Sequence, residues 1–97
     1  MKDIAIYGFG GFGREIASII VSINLVHTEW NMVGFFDDGV PAGTANKYGS
    51  VIGGVEVLNS WPADLNVVFA IASPAIVQKL VSAITNPKIS FPNIFAP

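Results

Sequence analysis

The chain has no cysteine, a single histidine and only five lysines and arginines among its 97 residues. Without thiols there is no disulfide framework, no zinc ribbon and no thiol nucleophile, and a reducing cytoplasm is the expected compartment. So few cations, in a chain of formal charge -2, make no basic surface for a phosphate backbone, and nucleic acid is not an expected partner. Long unbroken apolar runs are missing as well. Residues 16–26 and 67–77 are interrupted by Ser22, Asn24 and Pro74 and fall short of the roughly 20 residues that span a bilayer, so no membrane span is expected. Met1-Lys2-Asp3 leads into a glycine-rich stretch with Arg14-Glu15, unlike the charged head and apolar segment of a signal peptide, and the chain reads as mature.

What the chain does hold is apolar: 52% of its residues are hydrophobic and 12% are charged. A chain this short builds one small domain with a limited interior, so some apolar residues are expected to cover a partner. The tail from Ile89 to Pro97 is the best candidate, because it stops on a hydrophobic run with no polar capping segment. It reads as a chain cut from something longer, or else as the last strand of the sheet ending naturally.

The order of elements follows from periodicity. Ile4-Ala5-Ile6-Tyr7 is a β-prone run, Gly8-Phe9-Gly10-Gly11-Phe12-Gly13 follows, and Ile16, Ile19, Ile20 and Ile23 then recur at helical spacing. Residues 31–36 form a second apolar run ending in Asp37-Asp38-Gly39, after which Pro41, Gly43, Asn46 and Gly49 mark turns without helical periodicity. Val51-Ile52 and residues 55–58 flank Gly53-Gly54, a spacing that suggests a hairpin or a kinked extended strand. Val67 to Ile71 is a run of the kind buried on both faces of a parallel sheet, and Val77, Leu80, Val81 and Ile84 repeat at helical spacing after it. Ser73 and Pro74 suit the N-cap and first turn of that helix. Phe91 to Phe95 is expected to return as an edge strand.

Alternating strands and helices with buried-type strands predict an α/β fold, a small Rossmann-like doubly wound parallel sheet over residues 1–97. Such sheets bind ligands beyond the carboxyl ends of the strands, where the winding reverses. Gly8, Gly10 and Gly13 fit GxGxxG: the first for the tight turn, the second for backbone approach to a pyrophosphate, the third for close packing of helix on strand. The free N–H groups of the following helix add a dipole term of only about 0.3 to 1 kcal/mol, so affinity must come from several backbone hydrogen bonds together. The motif follows a strand, opens a helix and precedes an acidic strand end at Asp37, the context a nucleotide site requires.

Each of these residues also has a plainer reading. Gly11 is ordinary loop flexibility, Phe12 core packing, and Arg14 and Glu15 solvated charges. Asp37 and Asp38 cap a turn, since Asp before Gly is common turn chemistry. Trp30 and Trp61 are expected to cover edges of the core. His27, between the first helix and second strand, lies at the opposite end of the sheet from the glycine loop, where no catalytic role is expected.

Taken together, residues 8–15, Glu29-Trp30 leading to residues 33–39, then 51–54, 68–71 and 91–94 closely resemble the N-terminal domain of the sialic acid O-acetyltransferase and bacillosamine N-acetyltransferase family. The resemblance covers essentially the whole chain. It implies a UDP-sugar site formed by the glycine loop and the paired aspartates. Acetyl-CoA and the catalytic histidine would lie on a following hexapeptide-repeat β-helix, which this chain lacks, and the intact enzyme would be a trimer in a polysaccharide pathway. By that resemblance Gly8, Gly10, Gly11, Phe12 and Gly13 line the phosphates and sugar, and Asp37 and Asp38 accept hydrogen bonds from the uracil ring N–H and ribose hydroxyls. Catalytic residues, cofactor and metal are not expected within these 97 residues.

The chain departs from that family at three places. Ala70-Ile71-Ala72 stands where Ala-Ile-Gly is usual, which places a methyl group at Ala72 where backbone would meet ligand. Val77 or Gln78 occupies the place of an arginine, and Ala96-Pro97 that of a His-Pro. Two other classes stay open on the residues alone. An NAD-dependent oxidoreductase domain would share GxGxxG and Asp37 but needs a second crossover helix, which residues 39–50 do not offer. A non-catalytic interaction module would keep the fold without the ligand.

Overall fold

The computed structural model describes residues 1–94. Strand β1 (Lys2–Tyr7) leads to helix α1 (Gly11–Val26) and strand β2 (Trp30–Phe36). A short hairpin of β3 (Ala45–Asn46) and β4 (Gly49–Gly53) follows, then helix α2 (Val55–Asn59), strand β5 (Leu65–Phe69), helix α3 (Pro74–Ala83) and strand β6 (Ile89–Ser90). The six strands form one sheet in the order β3-β4-β2-β1-β5-β6. Pairing is parallel except between β3 and β4, so the sheet is mixed where a purely parallel one was expected. No β-helix is present among the described residues, and none of their helices is long and apolar enough to cross a membrane.

The winding explains the hydrophobic pattern. From β1 the chain moves outward to β2 and β4, then crosses back to β5 on the other side of β1. Central β1 is therefore covered on both faces, and Ile4, Ala5 and Ile6 are fully buried, as a continuous apolar run predicts. On one face Ile4, Ile6 and Phe35 pack under Ala17 and Ile20 of α1. On the other, Ala5, Tyr7, Phe36 and Val67 pack with Leu58 of α2, and Leu80 and Ile84 lie against them. Adjacent Phe35 and Phe36 point to opposite faces and are both completely buried, so truncating either would cost about 3–5 kcal/mol.

Several local expectations are corrected. The hairpin turns at Lys47-Tyr48, held by Asn46 Oδ1, which accepts from the Tyr48 and Gly49 N–H groups at 2.8 and 3.2 Å. It does not turn at Gly53-Gly54, where β4 ends and residues 55–59 wind into α2. Trp30 lies inside the first cluster, 6% exposed, and does not cover its edge. Its backbone is anchored to α1 by Asn24, whose amide group exchanges hydrogen bonds with the Trp30 N–H and carbonyl. The returning edge strand is Ile89–Ser90, two residues long, and residues 91–94 form no strand. Phe95, assigned to that strand from the sequence, lies outside the described residues together with Ala96 and Pro97.

Candidate functional site

The carboxyl ends of β1, β2, β4 and β5 meet where the winding reverses. Backbone hydrogen bonds continue there past the strand ends: Gly8 N–H to the Phe36 carbonyl at 2.8 Å, Ala70 N–H to the Tyr7 carbonyl at 2.8 Å, and Asp37 N–H to the Gly53 carbonyl at 2.9 Å. Gly8 has φ +118°, and a Cβ on it would lie 2.6 Å from the Ala70 carbonyl oxygen. The strained dihedral and the close approach both demand glycine. The expectation of a tight turn at this position is met by the geometry of the β1–β5 contact.

Helix α1 starts immediately after this turn. Its N-cap, Gly10, contributes no side-chain hydrogen bond, and the first turn holds no acidic residue, so among the described residues no side chain caps the opening N–H groups. Around Gly10 there is open space, since an added Cβ would meet nothing within 4 Å. Gly13 is buried at the point where the helix crosses β1, with Phe35 beneath it. Phe12 is 41% exposed, which removes it from the core and leaves it at the rim of the loop. Gly11 is exposed, and its nearest neighbour is the guanidinium of Arg14 curled back over the helix start, 3.7 Å from where a Cβ would sit. Ala72 is exposed in the bend between β5 and α3, next to Ser73, whose side chain caps α3 by accepting from the Ile76 N–H. His27 ends α1 at the far end of the sheet.

The paired aspartates at the end of β2 are both committed to the protein. Asp37 Oδ2 accepts from the Phe9 N–H at 3.0 Å and Oδ1 from the Gly39 N–H at 2.8 Å. Asp38 Oδ1 accepts from the Val55 N–H at 3.0 Å, at the start of α2. Its Oδ2 accepts from the Tyr7 hydroxyl. Gly54 makes that approach feasible, because a side chain there would collide with the Asp38 carboxylate. The turn-capping reading is met for Asp37, through Gly39, but not for Asp38, whose partners Tyr7 and Val55 lie on distant elements. Both keep lone pairs free, since a carboxylate has about four acceptor positions and each of these uses two. Asp37, Asp38, Val40, Gly53, Gly54 and Glu56 border an open hollow of about 310 Å³, whose lining runs along the end of β2 and the start of α2 and includes no residue of the glycine loop. Among the described residues no group of three or more His, Cys, Asp or Glu is placed to hold a metal.

Tyr7 was missed from the sequence. It ends an apolar strand and is 2% exposed, packed against Phe36 and Phe69 at ring-centroid separations of 6.3 and 5.8 Å. Burial, followed by the hydrogen bond to Asp38 and the charges of Asp38 and Asp37, raises its phenol well above the ordinary 10.0. The available signal was chemical: a buried tyrosine at a strand end needs a partner for its hydroxyl, and the aspartates end the neighbouring strand.

The sequence profile of the PglD N-terminal domain matches residues 3–84. The chain belongs to the PglD N-terminal domain family. A solved structure, the acetyltransferase domain of PglB from Neisseria gonorrhoeae in complex with acetyl coenzyme A, superimposes on this PglD-type domain with a TM-score of 0.67 at 25% identity. The match covers 86% of this chain and 38% of that one, so the PglD-type domain corresponds to well under half of its solved neighbour. No curated protein matches the chain.

Proposed function

We propose that this domain binds a UDP-sugar between the glycine loop and the Asp37-Asp38 pair. We further propose that it serves as the N-terminal, substrate-holding module of a sugar O- or N-acetyltransferase. The observation that carries the reading is the hydrogen bond from Phe9 to Asp37, which joins the two halves of the proposed site before any ligand arrives. Free N–H groups at Gly10 and Gly11 suit a diphosphate, and the remaining lone pairs of the aspartates suit the ring N–H and ribose hydroxyls of uridine. Family membership and the acetyl-CoA complex of the solved neighbour support the assignment to acetyl transfer. Acetyl-CoA and the base would belong to a β-helix domain, and the trimeric assembly to the intact enzyme. The residues present here supply positioning, which holds the acceptor amine or hydroxyl where it can react.

The connection between β2 and β4 contains turns and β3 but no helix, whereas a dinucleotide-binding half uses a second crossover helix there. NAD is therefore the informative negative control. Calorimetric titration with UDP, a UDP-amino sugar and NAD, repeated after Asp37→Ala, tests the proposal. Saturable binding of both uridine ligands, lost in the variant and absent for NAD, is expected. NAD binding in preference to UDP would overturn it.

A further inference from the structure

We infer that Tyr7 is a positioning residue for the Asp38 carboxylate, and that by fixing this acceptor it makes the site select uracil over cytosine. The inference rests on the uridine reading above and adds to it the residue that confers base selectivity.

Asp38 is an exposed residue at the end of β2, where a carboxylate ordinarily swings among rotamers. Here it is held from two sides. Tyr7, rooted in β1 between Phe36 and Phe69, donates its hydroxyl to Oδ2, and the Val55 N–H donates to Oδ1 at 3.0 Å. Rotating the carboxylate would break one bond or both. It would also leave the Tyr7 hydroxyl, the only polar side-chain atom in the run from Ile4 to Tyr7, buried without a partner, which is costly. The fixed carboxylate presents only acceptor positions to the hollow beside Gly53 and Gly54. Uracil carries a hydrogen on N3 and can donate to it. Cytosine carries a lone pair on N3, so the same approach sets acceptor against acceptor. A carboxylate free to rotate can turn away from that repulsion, and a pinned one cannot. Selection against cytosine therefore depends on the rigidity that Tyr7 supplies as well as on the charge of Asp38.

The test compares UDP and CDP titrations of the wild-type chain and Tyr7→Phe, with the diphosphate held constant so that only the base differs. In a Tyr7→Phe protein that still melts cooperatively, UDP affinity is expected to fall about tenfold. CDP affinity should rise, because the freed carboxylate can turn away from cytosine N3, so the UDP-over-CDP ratio contracts. An unchanged ratio, whether because neither affinity moves or because both fall together, overturns the role of Tyr7 while leaving the uridine reading intact. A wild-type chain that binds neither nucleotide overturns both. Should Tyr7→Phe fail to fold, wild-type protein labelled at the tyrosine ζ carbon replaces it. The Tyr7 resonance is expected to shift on saturation with UDP and not with CDP, and equal responses or none would overturn the inference.

Discussion

Phe9 and Asp37 are 28 positions apart in the chain, yet the Phe9 N–H donates to Asp37 Oδ2 at 3.0 Å. The bond ties the glycine loop after β1 to the end of β2. Replacing Asp37 with alanine leaves the Phe9 and Gly39 N–H groups without their acceptor, at a cost of about 1–3 kcal/mol. Urea denaturation should record that loss, and amide exchange at Phe9 and Gly39 should quicken more than at the strand residues.

The glycines of the loop separate structure from binding. Gly8→Ala forces a side chain into a positive-φ position and against the Ala70 carbonyl. Backbone strain of this kind costs about 1–3 kcal/mol before the clash is counted. A fall in melting temperature of about 10 °C or more is expected for a domain of this size. Gly10→Ala meets open space, so its melting temperature should stay within a few degrees of wild type while UDP binding weakens severalfold. Equal thermal losses in the two variants would contradict this division.

Alkaline pH should expose the state of Tyr7. Its phenol is raised in the fold above the unfolded value of 10.0, first by burial and then by the bond to Asp38. A group whose folded pKa is raised contributes stability that is intact below its unfolded pKa and is lost as the pH climbs above it. The urea midpoint is thus expected to hold steady between about pH 8 and about pH 10 and to decline beyond. Tyr7→Phe should flatten the part of the decline that belongs to this residue.

A pair of asparagines joins α2 to the end of α3. Asn59 Oδ1 accepts from the N–H groups of Thr85 and Asn86 at 2.8 and 3.3 Å. Asn86 Nδ2 donates to the Leu58 and Trp61 carbonyls at 3.1 and 3.0 Å. Each alanine substitution should cost about 1–3 kcal/mol, and the double variant should cost less than the sum because the two residues share one network. Additive losses in chemical denaturation would show that they act separately.

The parts of this molecule legible in the sequence are those governed by periodicity. The unbroken run at Ile4–Tyr7, the helical spacing from Ile16 to Ile23 and the Ser73-Pro74 cap each correspond to an observed element. Residues 55–58 were misread because a five-residue helix is too short to establish a period. Its start is set by a distant side chain, Asp38, through the Val55 N–H. Trp30 was misplaced for a related reason: its burial depends on Asn24 fastening the end of α1 to the start of β2. In the site, the glycine pattern announced the loop and Asp37-Asp38 announced the acidic strand end. That the aspartates join the loop to Tyr7 and α2 is a matter of tertiary contact, which no local pattern records.

Successive residues of a strand face opposite ways, and Asp37 and Asp38 prolong this alternation beyond the end of β2. Asp37 follows the side of Phe35 and reaches Phe9, which packs on the α1 cluster; Asp38 follows Phe36 and reaches Tyr7, a member of the α2–α3 cluster. The two neighbouring carboxylates are therefore sprung on separate foundations. Loosening Ile20 would unsettle one of them, and loosening Leu58 the other, so damage deep in either layer reaches the rim of the molecule through its own aspartate.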